Sequence, residues 1–163
     1  MTRERWTAFA LVVVSGAALG GALASEAWGG LVPCALCLWE RVPYRVLIGA
    51  AVLALLLPAR PARWVLGLSA LVALAGVGLG VVHIGVEQGW WPSPLPECAA
   101  PTLGGGSFAE RLARMPAVPA KPCDEPTFLI PFLPVSMAAM NTLVALALCA
   151  GLLISAGWKR RTP

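Results

Sequence analysis

The sequence predicts an all-α integral membrane fold: a bundle of four transmembrane helices, with a short amphipathic helix in the second of two outer loops. Three observations carry this reading. Hydrophobic residues make up 58% of the 163 positions and charged residues only 12%, far outside the balance of a soluble domain. Long uncharged runs recur along the chain, and the basic residues between them segregate by side.

The first run, Trp6 to Ser25, has about the 20 residues needed to cross a hydrocarbon core. Arg3 and Arg5 ahead of it, and Ala22-Leu23-Ala24 near its end, also have the form of a cleavable signal peptide. The run exceeds the roughly 7–15 residues of a signal hydrophobic region, and its loss would leave a three-helix remnant, so a retained helix is the reading adopted.

The second run, Val46 to Ala59, is short between Arg45 and Arg60. It spans only if Arg45 snorkels or the helix begins upstream, nearer Cys37. The third run, Trp64 to Val86, is broken only by His83, and the fourth extends from Ser136 to Trp158. The chain therefore reads as one membrane domain, 1–163, with helices at about 6–25, 42–58, 64–86 and 136–158 and outer loops at about 26–41 and 87–135. Pro58-Ala59-Arg60-Pro61 makes a tight inner turn.

Charge placement orients the bundle. With both termini inside, the inner segments hold Arg3, Arg5, Arg60, Arg63, Lys159, Arg160 and Arg161 against Glu4 alone. The outer segments are net acidic. The overall charge of +4 thus reflects topology, and the partner implied is the lipid bilayer, with no nucleic acid.

Gly16 and Gly20 in the first helix, and Gly76 and Gly80 in the third, form small-residue pairs that allow close helix approach. In the long outer loop, Gly104-Gly105-Gly106 marks a break before Ser107-Phe108-Ala109-Glu110, which has the form of a capping box. Phe108, Leu112 and Met115 follow at helical spacing, predicting a helix that lies on the outer bilayer surface or packs on the bundle.

Four of the five cysteines fall in the outer segments, the side on which disulfides persist in a bacterial inner membrane. Cys34-Ala35-Leu36-Cys37 lies just before the second helix, where a helix N-terminus and a nearby Arg favour the thiolate. Arg41 stands one helical turn beyond Cys37, while Glu40 opposes ionisation and Pro43 disturbs the helix start. Arg41 and Arg45 both break the positive-inside trend, which points to an electrostatic task or to lipid headgroups.

Cys98 and Cys123 flank the long loop, either as a structural crosslink or as the second pair of a thiol–disulfide relay. A zinc site is the other use of four cysteines, disfavoured by their wide, proline-rich spacing. Cys149, near the inner end of the fourth helix, reads as a small buried hydrophobe. His83 and Glu87 share a face at the outer end of the third helix. There His83 either bonds a quinone carbonyl, relays a proton, or caps a backbone carbonyl. Trp90 and Trp91 fit an interfacial aromatic belt.

The run Pro33-Cys34-Ala35-Leu36-Cys37-Leu38-Trp39-Glu40-Arg41, the two loop cysteines and four helices with both ends inside together resemble the DsbB family of disulfide-bond formation proteins. His83-Ile84-Gly85-Val86-Glu87, Trp90-Trp91-Pro92, Cys123-Asp124-Glu125 and Ser136-Met137-Ala138-Ala139-Met140-Asn141 extend the likeness over nearly the whole chain.

The resemblance implies a quinone-dependent protein-disulfide oxidoreductase of the bacterial inner membrane, with termini cytoplasmic and cysteines periplasmic. A reduced DsbA-like thioredoxin-fold partner would attack a Cys98–Cys123 disulfide, and the freed thiols would reduce Cys34–Cys37. Cys37 would then face a ubiquinone or menaquinone, with Arg41 stabilising negative charge and His83 and Glu87 as further quinone-binding candidates. Two other readings stand beside it. A vitamin K epoxide reductase-like protein is disfavoured because its loop cysteines precede the Cys-x-x-Cys, whereas Cys98 and Cys123 follow it. A non-enzymatic metal-binding membrane protein would use Cys34, Cys37, His83 and the loop thiols as ligands.

Overall fold

A computed structural model of the chain describes residues 2–98, 107, 109–110, 121–129 and 132–157. Among them the secondary structure is helical: α1 (Arg3–Ala27), α2 (Ala35–Leu56), α3 (Ala59–Glu87), a single 3-10 turn at Pro96–Cys98, and α4 (Met137–Gly157). Two isolated bridges, Cys34 with Lys121 and Phe128 with Ser136, are the only extended pairings in the described residues. α3 packs against both α2 and α4, and α2 against α1.

Three helices in the described residues are long and apolar enough to cross a membrane: Arg3–Ala27, Ala59–Glu87 and Met137–Ala156. α2 has 22 residues but carries Glu40, Arg41 and Arg45 in its first half. It starts at Ala35, about two turns before the position expected from its apolar run, so the Cys-x-x-Cys opens the helix instead of preceding it. Pro43 lies inside α2, and its ring fills the space above Gly76 of α3, where an added Cβ would meet Pro43 Cβ at 3.4 Å.

The bundle hides small residues and shows large ones. Ala8, Leu11, Leu47, Ala51, Ala54, Ala62, Leu66 and Ala73 are buried between the helices. Leu71, Leu143 and Ile154 are each more than 60% exposed, as suits helices whose outer faces meet lipid. Gly80 takes the side chain of Thr142 from α4, and Gly76 sits near Ala145. Gly16 and Gly20 face open space, so only the α3 pair of small residues is used for close approach.

The helix ends set the surface at the end of the bundle that follows α3. α3 closes with Gly89 at φ +69°, which a residue with a Cβ seldom adopts. There Gly89 N–H donates to Val86 O at 3.1 Å and Trp90 N–H to Gly85 O at 2.8 Å, together a Schellman cap. The chain then folds back, and the Trp91 indole lies directly on Gly85 and donates to Val82 O at 3.1 Å. Trp91 is thus docked on the bundle as well as 41% exposed.

Ser107 and Glu110 make the reciprocal bonds of a capping box, with Ser107 N–H donating to Glu110 Oε2 at 2.8 Å and Glu110 N–H to Ser107 Oγ at 3.4 Å. The apolar positions expected of the following amphipathic helix, Phe108, Leu112 and Met115, lie outside the described residues.

Candidate functional site

One end of the bundle gathers four of the five sulfurs. Cys34 is the N-cap of α2: its backbone is extended, and its Sγ accepts the Cys37 N–H at 3.2 Å, as a serine would in the same position. The unpaired N–H groups of the first helical turn make this a favourable place for a thiolate. Cys37 Sγ lies 2.9 Å from Cys34 Sγ, in contact and unbonded. The Cys34 thiol is held below its ordinary value of 9.0, chiefly by the hydrogen bond from the Cys37 side chain. Burial and the charge of Glu40 work in the opposite direction, and the Cys37 backbone N–H assists.

Cys98 and Cys123 are joined by a disulfide, with Cα atoms 4.9 Å apart. This crosslink packs in one buried cluster with Cys34, Leu36 and Val86. Two local contacts hold it there. The backbone of Lys121, two residues before Cys123, forms a parallel bridge with Cys34, and Cys123 N–H donates to Cys98 O at 3.4 Å. The four outer cysteines therefore share one end of the molecule.

His83 connects this cluster to α2. Its Nε2 lies 3.5 Å from Cys34 Sγ, and its Nδ1 lies 3.0 Å from Glu40 Oε1. Both side chains are buried, His83 at 2% exposure and Glu40 at 6%. Cys34, Cys37 and His83 present three ligand atoms within 4.8 Å of one another, the only such grouping of His, Cys, Asp and Glu among the described residues.

Beside Cys37 a cavity of about 240 Å³ opens between α1, α2 and α4. Its walls include Ala18, Gly21, Cys37, Glu40, Arg41, Tyr44, Met140 and Asn141. Arg41 turns to Glu26 of α1, with which it forms an ion pair at this rim. Tyr44 O–H donates to Asn141 Oδ1 at 2.6 Å, and the buried Asn141 Nδ2 interacts with the Glu40 carboxylate without a close hydrogen bond. An amide donor without a close hydrogen bond at a largely apolar cavity fits a ligand bearing a carbonyl oxygen.

Of the residues singled out in the sequence, Cys37 and Arg41 line this cavity, and His83 stands between Cys34 and Glu40 instead. Glu87 is also outside the lining. It accepts the Ser136 hydroxyl at 2.6 Å, and Ser136 in turn accepts the Ala139 N–H at the start of α4. Cys149 is buried against Ala70, its Sγ 3.8 Å from that carbonyl, and Arg45 is exposed.

The sequence reading missed Glu40 as the partner of His83 and Tyr44 and Asn141 as cavity residues. The signal was present: Cys37, Glu40, Arg41 and Tyr44 follow at i, i+3, i+4 and i+7, a polar stripe on one helix face.

No curated protein and no solved structure is similar enough to this chain to count as a match. The family described as disulfide bond formation protein DsbB matches residues 4–155, nearly the full length and all four outer cysteines. With its long apolar helices and its cysteine pairs at one end, the chain belongs to the DsbB family of membrane proteins for disulfide bond formation.

Proposed function

We propose that this protein is a four-span membrane thiol oxidase that reoxidises a periplasmic DsbA-like dithiol and passes the electrons to a membrane quinone. The observation that carries the proposal is the position of Cys34. It packs in one buried cluster with the loop disulfide and lies against Cys37, which is at the cavity wall.

A partner thiolate attacks the Cys98–Cys123 disulfide, giving a mixed disulfide and one free loop thiol. The second partner thiol resolves it, leaving the partner oxidised and both loop cysteines reduced. Those two thiols reduce a Cys34–Cys37 disulfide by the same exchange, and two electrons with two protons then rest on the Cys-x-x-Cys pair. The N-cap position favours Cys34 as the thiolate, and a thiolate is the species that exchanges.

A quinone, ubiquinone or menaquinone, supplies the final two-electron, two-proton acceptor when bound. The residues beside Cys37 fit it: Ala18, Gly21 and Met140 offer apolar walls, and Asn141 Nδ2 offers an unused donor. Arg41 brings positive charge to the same wall, held in place by Glu26. α2 counts as the fourth span because its 22 residues extend about 33 Å, Glu40 and Arg41 are buried in the bundle, and the exposed Arg45, in the first half of the helix, snorkels toward the interface. Both termini then lie in the cytoplasm and the sulfur cluster in the periplasm, in keeping with the basic inner segments.

The test is quinone reduction by detergent-purified protein supplied with a reduced thioredoxin-fold partner. Cys34→Ser and Cys37→Ser are expected to abolish it, and wild-type rates in either variant would overturn the proposal. With a partner that lacks its resolving cysteine, the mixed disulfide is expected to accumulate on Cys98 or Cys123, and the mass of the adduct identifies the attacked sulfur.

A further inference from the structure

We propose that the reduced Cys-x-x-Cys of this chain is also a zinc site, built from Cys34 Sγ, Cys37 Sγ and His83 Nε2, and that the metal binds only the dithiol state. Three features of one place converge. The three atoms lie within 4.8 Å of one another, and they combine two sulfurs with an imidazole, the donor set that borderline-soft Zn²⁺ prefers. The Cys34 Sγ to His83 Nε2 distance of 3.5 Å matches the edge of about 3.5 Å that tetrahedral zinc imposes between S and N ligands at ordinary bond lengths. The two sulfurs, now 2.9 Å apart, must open by about 1 Å, which a small rotation of Cys37 supplies.

The third feature is behind the ligand. Glu40 Oε1 stands 3.0 Å from His83 Nδ1, the far nitrogen of the ring, so Nε2 is left as the lone-pair nitrogen facing the sulfurs. Carboxylate, histidine and metal in line is the arrangement that orients and strengthens a zinc-bound imidazole. Glu40 binds on the opposite side of the ring from the metal, so it is not itself a ligand. Three protein ligands leave a fourth position open beside Cys37, which is only partly buried and borders the cavity.

On binding, Zn²⁺ replaces the two thiol protons, which are released to solvent, and no electron moves. Two thiolates cancel the charge of the ion, so the site is neutral within the buried cluster. The site itself is independent of any quinone. Its consequence rests on the disulfide-exchange reading: a metal-held dithiol cannot be reoxidised, and zinc becomes a reversible brake on the reduced enzyme.

The experiment titrates full-length, detergent-purified protein with Zn²⁺ against a chromophoric chelator, and in parallel with Co²⁺ followed by its absorption spectrum. Reduced protein is expected to bind one equivalent, and Co²⁺ to give sulfur-to-metal charge-transfer bands with tetrahedral d–d absorption. The same chain carrying a Cys34–Cys37 disulfide is expected to bind none, a comparison that involves no mutation and no question of folding. Cys98→Ser/Cys123→Ser retains the equivalent, His83→Ala and Cys37→Ser lose it, and Glu40→Gln weakens it by about 10–100-fold. Equal binding by oxidised and reduced protein, or undiminished binding by both His83→Ala and Cys37→Ser, would overturn the site. Quinone reduction measured in excess chelator stands apart from all of this. A normal rate there without zinc binding rejects the metal site alone, and zinc binding without quinone reduction rejects the oxidase reading alone.

Discussion

The Trp91 indole rests on the Cα of Gly85, two residues beyond His83, and leaves no room for a side chain at that position. A Cβ there would enter the ring, and both the Schellman cap and the bond to Val82 would have to give. Gly85→Ala is therefore expected to destabilise the protein by about 1–3 kcal/mol. Thermal unfolding in detergent measures it. Adding Trp91→Ala is expected to cost less than the sum of the two single changes, and strict additivity would show that the contact does not exist.

Arg41 and Glu26 form an ion pair between α2 and α1, with the Arg41 side chain 8% exposed and the Glu26 side chain 27% exposed. Removing one member of a fully buried pair costs about 3–5 kcal/mol, and the partial water contact of Glu26 lowers that figure. Glu26→Gln is expected to cost about 1–3 kcal/mol in unfolding free energy. The double change Glu26→Leu/Arg41→Met, which removes both charges, is expected to recover most of it. A double variant less stable than either single change would contradict this account.

The Cys34 thiol, ahead of the first turn of α2, is held below 9.0 by the hydrogen bond from Cys37. With a lowered value, the reactive thiolate persists as pH falls below 9.0 and disappears only when pH drops through the shifted value. The rate of Cys34 alkylation by iodoacetamide, resolved by peptide mass, is expected to have a midpoint below 9.0. Cys37→Ala removes the largest cause and is expected to raise the midpoint. An unmoved midpoint in that variant would assign the effect to the helix terminus instead.

Asn141 Nδ2 makes no close hydrogen bond at the cavity beside Cys37. Under the proposed function, Asn141→Leu is expected to raise the KM for a soluble quinone by about 5–10-fold, the loss of roughly one hydrogen bond. Alkylation of Cys34 is expected to be unchanged, which separates a binding defect from a misfolded site. A wild-type KM would remove Asn141 from the quinone contacts.

Much of this was legible in the sequence because hydrophobic runs and Cys spacing are one-dimensional signals. The apolar runs of α1, α3 and α4 were readable by length alone, and the gathering of Cys34, Cys37, Cys98 and Cys123 at one end of the bundle was readable from their places beyond the apolar runs. The start of α2 was not, since Pro43 argues locally against helix, and the seat of its ring over Gly76 is a contact between two helices that no local signal reveals. Nor was the bond from His83 to Glu40: it joins two helices, and the register between them is decided by packing that no single segment reveals. Glu87 shows the same limit, because its hydroxyl donor, Ser136, comes from the far side of the long loop.

The crosslink between Cys98 and Cys123 is tethered at both shoulders, through the turn at Pro96–Cys98 and through the Lys121 backbone on Cys34. When a thiolate opens it to a mixed disulfide, the freed sulfur stays beside its former partner, and its displacement of the attacker is a first-order event whose half-time does not change on dilution. Any bystander thiol must then outrun a neighbour on the same polypeptide, which protects the pair from adventitious capture.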